Sequence, residues 1–225
     1  MIYFAYNKND MTLPKLNKEI IITSTFIFFC LLGYIFFPAN GIFQNRSVAV
    51  LFLVILPYLY NKFFLKKKNL FAKFISIGDW KKNIKYLIIG LLIAALIILI
   101  FFKYTELAQH YFLPKNVKSN FINFIVYEIT GIVFTVAIYE IFFRGFIQLY
   151  FSTFFGKWAV LIQFLIFSAL MLALGLPYWF YITYFVFTPF AGWIVYKSES
   201  LLYSFIGQCL FIIAIDVSFI ALFVK

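Results

Sequence analysis

At 225 residues the chain has the length of one or two soluble domains, but 65% of it is hydrophobic, 24% aromatic and only 12% charged, with a mean hydropathy of +0.98. That is more apolar surface than a soluble fold can hide, so the composition predicts an all-α polytopic membrane protein and excludes collagen, coiled coil, a disordered tail and a nucleic-acid-binding domain. The net charge of +11 is no argument for nucleic acid as a partner, because Lys and Arg gather in the cytoplasmic loops of membrane proteins.

A bilayer core of about 30 Å needs about 20 apolar residues in a helix. Seven stretches meet this, approximately Ile20–Phe37, Val48–Leu65, Ile84–Phe102, Phe121–Phe143, Trp158–Leu176, Tyr178–Tyr196 and Leu201–Val224. The segment before the first run carries Lys8, Lys15 and Lys18, but no small-residue cleavage site follows the run, so it reads as a retained span. Pro57 interrupts the second span and Pro189 the sixth; both are tolerable kinks where neighbouring helices satisfy the freed carbonyls. The junction at Pro177 is tight, which makes the fifth and sixth helices the hardest to separate.

Between the second and third spans, Lys62, Lys66, Lys67, Lys68, Lys73, Lys81, Lys82 and Lys85 face one acid, Asp79. Placing this loop inside, with a cytoplasmic N-terminus, puts most of the 19 Lys and Arg on the cytoplasmic side of a cell membrane. Phe63, Phe64, Phe71, Phe74 and Trp80 lie among the lysines, so the Lys62–Lys85 loop reads either as a helix lying on anionic lipid or as a plain topogenic loop. The chain divides into residues 1–76, two helices with this basic loop, and a membrane core over 77–225.

Cys30 and Cys209 sit in apolar runs and read as buried small side chains. His110 is the single histidine, so a zinc site of the usual two- or three-His kind is impossible, and neither a metal nor a cofactor is expected. Gly90, Gly131 and Gly192 read as points of close helix contact.

Glu128, Glu140 and Asp216 fall inside predicted spans, with Arg144 at the end of the fourth. Ionisable groups at that depth cost roughly 2.5–3.5 kcal/mol each, so each is a functional candidate. Glu140 and Arg144 are four apart on one helix face, which makes an ion pair easy. Glu128 lies about 120° around the helix from Glu140 and faces another neighbour.

The run Tyr139-Glu140-Ile141-Phe142-Phe143-Arg144-Gly145 resembles the first motif of the CPBP family, which holds the type II CAAX prenyl proteases and the bacteriocin-processing and self-immunity (Abi) proteins. That motif reads Glu-Glu-x-x-x-Arg, with an aromatic before the Arg and often Gly after it. Downstream, Trp158–Ser168 and Phe190–Leu202 resemble the family's following helices, and Ile77–Gly90 its lead-in. The resemblance implies a CAAX-protease-like helical bundle and an intramembrane glutamic peptidase. It also exposes departures. The first Glu, the family's base, is Tyr139. The Phe-x-x-x-His motif falls on Phe167–Met171, and the His-x-x-x-Asn/Asp motif on Gln208–Ile212. Both histidines are therefore replaced, by Met171 and Gln208, and the Asn position is Ile212.

Hydrolysis needs a base near neutral pH and donors aimed at the oxyanion. Tyr139 is a poor base, and Met171 and Ile212 move no proton. The expectation is a degenerate member that binds a membrane protein or peptide as scaffold, regulator or immunity-type protein. Two alternatives stay open. One is an active endopeptidase using a shifted set of Glu140, Arg144, Gln208 and Asp216. The other is a small transporter subunit with Glu128, Thr183, Gln208 and Asp216 along a path.

Overall fold

A computed structural model describes residues 18–65, 76–111 and 113–223. These are helical, with no strand among them. Seven long helices form the bundle: α1 Lys18–Phe36, α2 Ile42–Leu65, α3 Trp80–Tyr104, α4 Phe121–Phe155, α5 Trp158–Ala173, α6 Tyr178–Ser198 and α7 Leu201–Phe223. Five of them (α1, α2, α3, α4 and α7) are long and apolar enough to cross a membrane; α5 is shorter, at 16 residues. α6 has the length, at 21 residues, but its Tyr and Trp residues lower its hydropathy. Residues 66–75 of the basic loop, with Lys66, Lys67, Lys68 and Lys73, lie outside the described residues, as do Lys8 and Lys15.

The boundaries follow local chemistry. Asp79 caps α3 by accepting from the Lys82 backbone N–H, and Asn120 caps α4 by accepting from Ile122 and Asn123. α4 ends at Gly156, whose φ of 54° an L side chain rarely adopts. Gly175, with φ 63°, and Pro177 make the short turn between α5 and α6. The fourth helix is twelve residues longer than the predicted span that stops at Phe143. Arg144 looked like a terminus; it is instead fully buried and paired, so its charge ends nothing.

α6 packs against α3, α4, α5 and α7, while α4 also touches α2 and α5. α3 turns Leu87, Gly90, Ala94 and Ile98 inward and shows Ile88, Leu92, Leu96 and Leu99 outward. An exposed stripe of that kind is costless in lipid, where tails are as apolar as Leu. The α1–α2 hairpin joins the rest through the Phe26, Tyr60 and Phe146 rings, and one continuous core runs from Ile20 to Phe219.

Gly90 does mark a close contact, since a Cβ there would meet Ile194 Cδ1 at 3.1 Å. Gly207 marks a tighter one, with Leu87 and Phe187 at 2.5 and 2.9 Å. Gly131 corrects the expectation: a Cβ there would meet only Tyr127 of its own helix, at 3.7 Å.

Candidate functional site

Two stretches of α4 widen into π-helical turns, Glu128–Val133 and Glu140–Gln148, and each opens on a carboxylate. Such turns are rare and frequent at functional sites. In the second, the four-residue spacing lines Glu140, Arg144 and Gln148 along the helix face that meets α6 and α7.

Glu140 and Arg144 have no exposed surface. One Glu140 oxygen accepts from the Ser204 hydroxyl on α7, and the other lies 3.5 Å from Arg144 Nη1. Arg144 Nη2 donates to Thr188 Oγ1 on α6 at 3.1 Å, and the guanidinium stands 5.9 Å from the centre of the Phe167 ring on α5. Thr188 passes its own hydroxyl to the Tyr184 carbonyl at 2.6 Å. Gln148 Nε2 donates to the Gly192 carbonyl at 2.7 Å, and Gln163 Nε2 reaches the Thr188 carbonyl at 3.4 Å. The ion pair thus ties α4 to α5, α6 and α7.

The substituted family positions surround this layer. Tyr139 packs edge-on against Phe167 and Tyr184 and lies near Tyr34 of α1. Met171 and Ile212 are buried among apolar neighbours. Gln208, one turn past Ser204, has no exposed surface and no partner for either amide atom among the described residues.

Asp216 is elsewhere. It accepts from the Tyr111 hydroxyl and lies near the Glu128 carboxyl, neither oxygen of which makes a hydrogen bond among the described residues. Tyr111 sits in the connection between α3 and α4; burial first, then the Asp216 charge, pushes its hydroxyl well above the usual phenol range. Glu128 to Glu140 and Ser204 to Asp216 are each twelve residues apart, or about 18 Å along antiparallel helices at 1.5 Å per residue. The structure therefore brings Glu140 and Arg144 together, sets Glu128 near Asp216, and does not bring Asp216 to Glu140. His110 is at neither place: it stacks on Trp179 with centroids 4.8 Å apart and lies 3.4 Å from Glu106 at an exposed edge.

Sequence reasoning did not find Ser204, Thr188, Gln148 or Tyr111. Gln148, two four-residue steps past Glu140, was the one with a readable signal. The hydroxyls pair across helices, and only the packing register reveals them.

The model of the family described as Type II CAAX prenyl endopeptidase Rce1-like matches residues 121–213. Residues 121–213 belong to the CPBP family. The match holds Glu140, Arg144, Phe167, Met171, Gln208 and Ile212 and stops short of Asp216. The chain is thus a membrane protein with a CAAX-protease-family core. No curated protein and no solved structure shows a significant match.

Proposed function

We propose that the chain is a non-catalytic member of this family, which keeps the Glu140–Arg144 anchor and works by binding a membrane protein or peptide, as a scaffold, regulator or immunity-type protein. The observation that carries this reading is the closure of Glu140. One of its oxygens takes the Ser204 hydroxyl, the other faces Arg144, and no part of either charged side chain is exposed. A general base must reach a water or its substrate; this carboxylate is fully buried, with Ser204 on one oxygen and Arg144 at 3.5 Å from the other, which makes no hydrogen bond among the described residues. Tyr139, in place of the family's base, is buried among the Phe143, Phe167 and Tyr184 rings. One feature favours retained peptidase chemistry: the unpartnered Gln208 amide could serve as an oxyanion donor.

We place the protein in the cell membrane with the Lys18 end cytoplasmic. By connectivity Lys18, Lys62, Lys81, Lys82, Lys85, Lys157 and Lys197 fall at one end of the bundle, against Arg46, Lys103, Lys115 and Lys118 at the other.

The test compares membrane-protein N-termini in the native host among wild type, a deletion strain and Glu140→Gln. The expected result is no difference among them, with the Gln variant folded and inserted. New N-termini present in wild type and lost in both mutants would establish a peptidase and overturn the reading.

A further inference from the structure

α1 and α2 leave an open groove between them, lined by Ile22, Phe26, Phe29, Leu56, Leu59 and Phe64 among others, with a volume of about 550 Å³. That is within the range of sites built for a small ligand, roughly 300–1,000 Å³. Its lining is almost wholly apolar because the polar atoms are turned away. Tyr60 stacks between Phe26 and Phe64, at 4.0 and 5.2 Å between centroids, so ring faces make the floor. Its hydroxyl points inward to Thr23, 3.0 Å away. Thr25 spends its own hydroxyl on the Ile21 carbonyl.

One end of this groove is charged. Phe63 and Phe64 line it, and Lys62 is exposed beside them, its ammonium 5.6 Å from the Phe63 ring centre. Lys18, also exposed, opens α1 at the same end of the hairpin, with Glu19 next to it. An apolar trough with exposed cations beside one end suits an anionic glycerophospholipid: a tail along the aromatic floor and a phosphate at the lysines. We infer that the α1–α2 groove is a binding site for one acyl chain of an anionic phospholipid whose headgroup is held at Lys62. This does not depend on whether Glu140 is catalytic.

The test is native mass spectrometry of the full chain in detergent, incubated with dioleoyl-phosphatidylglycerol or dioleoyl-phosphatidylcholine. One phosphatidylglycerol is expected to stay bound, severalfold more often than phosphatidylcholine. Thr25→Trp, which fills the groove, should reduce retention of both lipids, and Leu92→Trp on the exposed face of α3 should leave it unchanged. Lys62→Ala should cut the preference for phosphatidylglycerol about fivefold, the factor one cation near an anionic surface is worth, with a smaller loss for phosphatidylcholine, whose choline offsets its phosphate. Thermal unfolding confirms that each variant is folded. Equal retention of the two lipids by wild type, retention of neither with the groove left to detergent, or an undiminished preference in Lys62→Ala would each overturn the inference.

Discussion

Arg144 is the largest of the fully buried side chains among the described residues, and Glu140 carries its counter-charge. Removing one member of such a pair strands the other in a low-dielectric interior and costs about 3–5 kcal/mol, whereas replacing both with apolar groups is often neutral. Thermal unfolding in detergent should therefore show Arg144→Met alone as strongly destabilised, with the double variant Glu140→Leu/Arg144→Met recovering most of the loss. A double variant no better than the single one would mean the pair is not acting as a unit. Gln208 makes the opposite prediction. Its buried amide has no partner among the described residues, and an unsatisfied polar group costs about 1–3 kcal/mol. Gln208→Met should raise the unfolding temperature. A fall would show that the amide is engaged, as a catalytic role requires. Glu140 and Arg144 were legible because a charge inside an apolar run stands out and a spacing of four names its partner. Ser204 and Thr188 were not, because a lone hydroxyl in a helix satisfies its own backbone unless the packing brings something better.

At the scale of helices, the glycines separate contact from composition. A methyl at Gly207 would run into Leu87 and Phe187 where α3, α6 and α7 cross, and crowding of this sort costs about 1–3 kcal/mol. A methyl at Gly131 has room, and Gly to Ala in a helix gains about 0.5–1 kcal/mol. Unfolding temperatures should move down for Gly207→Ala and up for Gly131→Ala; shifts of the same sign would contradict the packing. All seven helices were readable from apolar runs, and five of them are long and apolar enough to match a bilayer. The end of α4 was not, because buried Arg144 mimics a loop charge. Neither were the π-helical turns, whose extra residue per turn leaves no mark in a run this uniformly apolar.

Across the whole molecule the polar groups form two layers about 18 Å apart, one at Glu140–Arg144 and one at Glu128–Asp216. No side-chain hydrogen bond joins the two layers among the described residues, and sites that distant have additive effects within about 0.5 kcal/mol. The stability loss of Glu140→Gln combined with Asp216→Asn should equal the two single losses together, measured by the same unfolding assay. A coupling well above that would mean the layers communicate, as a shifted catalytic set or a continuous transport path would demand.

The matching twelve-residue intervals on α4 and α7 also bear on how the bundle finds its form. An apolar helix sliding along another in lipid meets few obstacles, because one aliphatic contact is much like the next. A slip of one turn would still leave Glu140 a polar neighbour, Gln208 in one direction or Ser200 in the other. The same slip would set Glu128 against Ile220 or Ile212. The far layer thus serves as a check digit for the near one: a misregistered pair can give the first carboxylate a polar neighbour, but only the native alignment gives one to both.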